Sequence, residues 1–181
     1  MSQRMIRVSK LLSLVLRHKP EDIGIALDSQ GWVSVPTLLN ALAANGHAIL
    51  PEELEQVVRE NDKQRFTIRD GRIRANQGHS VEVFLSLNAA TPPDSLYHGT
   101  ATRFLTSILQ SGLQKMNRHH VHLSADKIMA QKVGTRHGKP VILKVDAVKM
   151  SQDGQLFFLS DNGVWLTDSV SPQYLQVLSD E

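Results

Sequence analysis

Several short segments carry side chains suited to holding an anion. Arg17-His18 places a planar guanidinium fork beside a titratable imidazole, two donors that one phosphate can accept. The same pair also suits the negative end of a helix dipole, so position alone does not make it a site. Arg65 closes the run Asn61-Asp62-Lys63-Gln64-Arg65, whose first residues read as a turn. In Gln77-Gly78-His79-Ser80 the glycine supplies an unusual backbone angle. Tyr97-His98-Gly99-Thr100 reads as a strand running into a helix, with Thr100 as the cap. There Gly99 would let a ligand approach the backbone, and His98 and Thr100 would offer polar contacts. His119-His120-Val121-His122-Leu123-Ser124 alternates so that His120 and His122 share a face. Two imidazoles could begin a zinc site, but no cysteine or nearby carboxylate completes it, so no metal is expected. Gly134-Thr135-Arg136-His137-Gly138 is a basic loop between glycines, a candidate anion cradle. No Walker A pattern and no glycine-rich dinucleotide fingerprint occurs.

Charge is distributed to match. The net charge is only +2, yet from Ser95 to Val145 Asp126 is the single acid against eight Lys/Arg and five histidines. From Lys63 to Ser80, Asp70 stands alone against Lys63, Arg65, Arg69, Arg72 and Arg74. Local positive patches on a nearly neutral chain point to anion sites rather than a generally adhesive surface. Hydrophobic content of 41% is ordinary for a globular protein, and the absence of cysteine excludes disulfides and thiol nucleophiles. The N-terminal apolar stretch is broken by serine and charge, so it reads as an amphipathic helix, neither a signal peptide nor a membrane span.

Two domains are expected, 1–90 and 91–181, joined through the proline-bearing stretch Asn88–Ser95. Met5, Val8, Leu11, Leu12, Val15 and Leu16 keep helical spacing and predict a helix to about Arg17–His18, before Pro20. A short strand at Gly31-Trp32-Val33, a helix capped by Ser34, and a helix opened by Pro51 follow. Asp70-Gly71 then turns a hairpin between Arg65–Arg69 and Arg72–Asn76. Helix, strand, helix, helix, hairpin is the order of a winged helix. The second half predicts strands at Leu96–His98, His120–Leu123, Val141–Val145, Leu156–Leu159, Val164–Leu166 and Tyr174–Leu178. Helices are expected at Ala101–Ser111 and Ala125–Val133, ended by Gly112 and Gly134. The fold class is α+β.

Taken in order, Ser9-Lys10-x-Leu12-Ser13-x-x-Leu16-Arg17-His18, Asn61-Asp62-Lys63-Gln64-Arg65-Phe66, Gln77-Gly78-His79-Ser80, Leu96-Tyr97-His98-Gly99-Thr100, His120-Val121-His122-Leu123-Ser124 and Asn162-Gly163-Val164-Trp165-Leu166 form a specific set. Over roughly Val8 to Leu175 the chain resembles the RNA 2′-phosphotransferases of the KptA type, whose eukaryotic members complete tRNA splicing. The resemblance implies an N-terminal winged-helix lobe that holds RNA and a C-terminal ADP-ribosyltransferase-like lobe that binds NAD⁺. It implies Arg17, His18, Arg65 and Arg136 as the catalytic set, and His98, Gly99, Thr100, His122 and Ser124 as NAD⁺ contacts. The implied reaction removes an internal RNA 2′-phosphate through an ADP-ribosylated phosphate, without a metal. The chain is expected to be a cytoplasmic monomer with no membrane attachment.

Two other readings use parts of the same sequence. A winged-helix DNA-binding regulator would explain the first half but leave His98 and Arg136 without a task. A protein ADP-ribosyltransferase would, by analogy, need a catalytic glutamate late in the NAD⁺ fold. Here Glu181 is the only glutamate after Glu82. ADP-ribosylation of nucleic-acid phosphate ends remains compatible with the resemblance.

Overall fold

Ser2 opens the first helix, its hydroxyl accepting the Met5 backbone N–H at 3.2 Å. The computed structural model of the chain describes residues 2–83, 85 and 87–178, with His137 by its backbone only. It divides into two compact units, Met1–Ser86 and Leu87–Glu181.

In the first unit, α1 spans Gln3–Val15 and buries Met5, Val8, Ser9, Leu12 and Val15. It stops two residues short of the expected end. His18 and Lys19 both donate to the Leu14 carbonyl at 2.9 Å, closing a turn before Pro20, which bars helical geometry at Lys19. Arg17 and His18 therefore lie in this turn rather than on the helix.

β1 (Val33–Ser34) leads into α2 (Val35–Ala44), where Ser34 caps the helix by accepting from Thr37 N–H. α3 is Pro51–Arg59, with Glu52 and Glu53 in its first turn. β2 (Phe66–Arg69) and β3 (Arg72–Ala75) form the hairpin. Both turn residues, Asp70 at φ +51° and Gly71 at φ +68°, take the left-handed conformation that such a two-residue turn requires. β1 pairs along the free edge of β3, giving the order β1-β3-β2. Leu12, Leu16, Leu38, Leu42, Leu54, Phe66 and Ile73 close the core between helices and sheet.

The second unit is built on β4 (Ser95–Ala101), followed by α4 (Thr102–Ser111), β5 (Leu113–Gln114), β6 (Val121–Leu123), α5 (Lys127–Gly134) and β7 (Pro140–Asp146). Then come α6 (Ala147–Gln152), β8 (Phe158–Leu159), β9 (Trp165–Thr167), β10 (Ser169–Val170) and β11 (Leu175–Leu178). The strands form three small antiparallel sheets, β11-β7-β4, β6-β9-β8 and β10-β5. Leu96, Leu123, Leu143, Val145, Met150 and Phe157 fill its core.

Here several expectations change. The strand β4 continues through Gly99 and Thr100, which pair with Ile142 and Val141, so Thr100 is a buried strand residue and not a helix cap. Neither α6 nor the β5–β10 pair was expected, because each is too short for periodicity to show. The stretch Asn88–Ser95 is hydrogen-bonded within the second unit. Ala90 donates to Phe157 O, and the Asp94 carbonyl accepts from Ala147 and Val148.

The glycines explain how α5 lies on β4. A Cβ on Gly99 would stand 1.7 Å from the Ala130 carbonyl oxygen, and one on Gly134 would stand 2.8 Å from the Thr100 carbonyl. Helix and strand backbones thus meet where only glycine fits.

Gly99→Ala should lower the unfolding free energy by about 3 kcal/mol by forcing α5 off the strand, read by chemical denaturation; wild-type stability would contradict the close approach. In the first unit, Arg4 Nη2 donates to Glu53 Oε2 at 2.8 Å, with a second bond from Nε to Oε1. The Arg4 hydrogen bonds hold the Glu53 carboxyl below its ordinary value of 4.5, against the opposing effect of burial. A depressed carboxyl stabilises the fold above that value and ceases to as pH falls through the folded pKa. Arg4→Gln should therefore lose less thermal stability on acidification below about pH 4.5 than wild type does. Identical acid profiles would remove the linkage.

Candidate functional site

Helical spacing decides which side of α1 faces outward. Ile6, Lys10 and Ser13 follow one another at intervals of four and three, and Arg17 continues the series just past the helix end. Together with Ser9, Glu60, Asp62 and Arg65 they line a cleft of about 620 Å³. The structure thus brings together Arg17 and Arg65, 48 positions apart in sequence (65 − 17). Lys10 adds a third cation. Of the two acids on the wall, the Glu60 carboxylate is engaged by Gln56 Nε2 at 2.8 Å.

Each arginine is held by a different neighbour. The Arg17 guanidinium lies 5.9 Å from the centre of the Phe66 ring. The Arg17 carbonyl accepts from Ser80 N–H at 2.9 Å and Val81 N–H at 3.3 Å, which fixes the turn. Arg65 stands directly before β2, its carbonyl accepting from Asn76 N–H at 2.9 Å. Asn61 Oδ1 receives the Arg65 backbone N–H at 3.3 Å and Arg65 Nη1 at 3.4 Å. Asn61 itself is buried, and its Nδ2 donates to the buried Ser9 hydroxyl at 2.9 Å.

His18 is exposed beside this cleft, and its Nδ1 lies 2.9 Å from Ser80 Oγ. The segment 77–80 thereby acquires a role that its residue types did not reveal. Ser80 holds the turn by its backbone and the imidazole by its side chain.

In the second unit, His98 and His122 are half-buried on neighbouring segments. A carbonyl can only accept, so His98 Nδ1 carries the proton it gives to His122 O at 3.0 Å. A guanidinium can only donate, so at 3.2 Å from Arg118 Nη1 the His122 Nδ1 is the acceptor. The two Nδ1 atoms are thus held in opposite roles, donor in His98 and acceptor in His122. Ser124 pairs its backbone with Tyr97, while its hydroxyl accepts from Asp126 N–H and donates to Asp126 O, both at 3.0 Å. Thr100 is buried, and the space Gly99 leaves is taken by α5 rather than left open.

Arg136 is exposed in a short 3₁₀ turn, Thr135–His137, that follows α5 directly. His120 packs against Phe158 at 5.6 Å between ring centres, and burial, then nearby His119 and Lys115, keeps its pKa below the ordinary histidine value. Among the described residues no three His, Asp or Glu side chains gather as a metal-binding group. No described helix is long and apolar enough to cross a membrane.

Residue-type reasoning missed Ser9, Asn61 and Ser80 as supports. One signal was present: Ser9 is a polar residue inside the apolar stripe of α1, between Val8 and Leu12.

Comparison with known proteins agrees with this arrangement of ordered motifs. Residues 3–169 match the family model described as RNA 2′-phosphotransferase, Tpt1 / KptA family. A protein of Agrobacterium fabrum named "Probable RNA 2′-phosphotransferase" is 56% identical over 174 residues, covering 95% of this chain and 94% of its own. Proteins of the same name from Nostoc punctiforme (54% over 175 residues, 96% and 97% covered) and Streptomyces coelicolor (52% over 174 residues, 96% of each) are similarly related. A cleft holding Arg17 and Arg65, and a family match spanning both units, lead to one conclusion: the chain belongs to the RNA 2′-phosphotransferase family.

Proposed function

We propose that this enzyme uses NAD⁺ to remove an internal 2′-phosphate from RNA. The observation that carries the reading is the convergence of Arg17 and Arg65 on one cleft, within a chain of the phosphotransferase family. In this reading the first unit is a winged-helix lobe for RNA, supported by its element order and β1-β3-β2 sheet. The second is an ADP-ribosyltransferase-like lobe for NAD⁺.

A 2′-phosphate oxygen attacks C1″ of the nicotinamide ribose, and the C1″–N bond breaks with its electron pair leaving on neutral nicotinamide. The ribose 2″-hydroxyl then attacks phosphorus, the bond from phosphorus to the RNA 2′-oxygen breaks, and that oxygen takes up a proton. The products are 2′-hydroxyl RNA and ADP-ribose 1″,2″-cyclic phosphate. Charge on a phosphate carrying about two negative charges is redistributed in both steps, so fixed cations are the chief requirement. Arg17 and Arg65 supply planar guanidinium forks suited to a phosphate. By the family set Arg136 serves the same transfer, and His18, oriented by Ser80, gives or shuttles the proton in the second step.

For NAD⁺ the second unit offers His98, Thr100, His122 and Ser124. Gly99 acts by letting α5 seat against β4. The donor set suits a polar dinucleotide: two half-buried imidazoles with Nδ1 in fixed roles on adjacent segments. Leaving as a neutral molecule, nicotinamide needs no metal. The cytoplasm, where NAD⁺ and RNA occur together, is the matching location, and a monomer suffices.

Incubation with NAD⁺ and an RNA bearing one internal 2′-phosphate should yield nicotinamide and the cyclic phosphate in equal amounts; dephosphorylation without NAD⁺ would overturn the reading. Arg65→Ala and Arg136→Ala should each lower turnover about 100-fold or more with the unfolding midpoint preserved. Wild-type rates in either would refute its role at the phosphate. His18→Ala should still release nicotinamide and accumulate ADP-ribosylated RNA, seen by gel shift. Loss of nicotinamide release would instead place His18 in the first step.

A further inference from the structure

We infer that Asn61 is a positioning residue that holds Arg65 with a neutral acceptor, so that the full charge of the guanidinium stays available to the substrate phosphate. The inference rests on the reading that Arg65 meets the 2′-phosphate.

Asn61 is only 2% exposed and Ser9 only 5%, an amide and a hydroxyl withdrawn from solvent. Burial of such groups is unfavourable unless their hydrogen bonds are made. Asn61 makes them. Its Nδ2 is anchored on Ser9 Oγ, which fixes the direction of Oδ1. That oxygen then gathers Lys63 N–H, Arg65 N–H and Arg65 Nη1 at 3.3–3.4 Å. One oxygen shared by three donors makes long bonds, enough to orient the guanidinium without saturating it.

A carboxylate at this place would hold the loop at least as well, through charge-assisted bonds to the same donors. It would also neutralise Arg65. Elsewhere in the unit, arginines are tied by acids: Arg4 by Glu53 and Arg72 by Asp28 at 2.6 Å. An amide beside Arg65 orients a cation that must stay uncompensated until the phosphate arrives.

Asn61→Asp separates this role from that of a loop staple. The variant keeps an acceptor for all three donors, and the Ser9 hydroxyl can reverse its role and donate. Binding is read by fluorescence anisotropy of two short RNA oligonucleotides, alike except for a 2′-phosphate or a 2′-hydroxyl at one internal position. Wild type should prefer the phosphorylated RNA. Asn61→Asp should lose at least about tenfold of that preference while binding the hydroxyl RNA as wild type does. A folded variant that discriminates like wild type overturns the inference. If Asn61→Asp does not fold, Ser9→Ala decides: it frees the Asn61 amide, and a severalfold loss of preference supports the role, whereas unchanged preference overturns it. Wild type that fails to discriminate the two RNAs would instead overturn the underlying assignment of Arg65.

Discussion

A phosphate with about two negative charges is held most strongly by cations that the protein has not already neutralised. In the proposed reading, that preference sorts the charged residues of the first unit. Arg4 and Arg72 are matched to Glu53 and Asp28 and serve the fold, Arg4 linking α1 to α3. Arg74 lies over the Trp32 ring at 4.7 Å. Arg65 leans on an amide, a contact that orients its guanidinium without neutralising it, and the Arg17 guanidinium packs over the face of Phe66. Both line the cleft. Phe66, Ser9 and Asn61 belong to the buried interior, so the core of the unit sets the direction of the cations at its surface.

The second unit solves a different problem, that of bringing polar side chains to a fixed place on short strands. The register between β4 and β7, and the reciprocal backbone bonds of Tyr97 and Ser124, place His98 beside the segment carrying His122. One hydrogen bond then fixes His98 Nδ1 as a donor. Two glycines let α5 rest directly on β4, and the turn bearing Arg136 begins where α5 ends. A methyl group at Gly99 would disturb this packing.

Much of the first unit was legible because its signals are local. Ser34 as a cap, Pro51 as a helix opener and Asp70-Gly71 as a turn each act within a few residues, and each forms as expected. The end of α1 was read too late because the apolar series runs on through Leu16, while Pro20 closes the turn earlier. In the second unit strand identity at Gly99 and Thr100 depends on pairing with Val141 and Ile142, about 40 residues away, which no local pattern carries. The same holds at the cleft. Arginine and histidine announce themselves by type, but Asn61 resembled an ordinary turn residue and Ser80 the end of a loop. Their importance lies in partners 52 and 62 positions distant.

The most direct test of the central claim observes the arginines themselves. Nitrogen-15 NMR of the guanidinium Nε–H groups of Arg17 and Arg65, assigned by single substitution, can be followed while a 2′-phosphorylated RNA oligonucleotide is added. Both signals should shift and exchange more slowly with solvent, and the matching 2′-hydroxyl RNA should leave them nearly unmoved. Signals that respond equally to the two RNAs, or to neither, would contradict a phosphate site at this cleft.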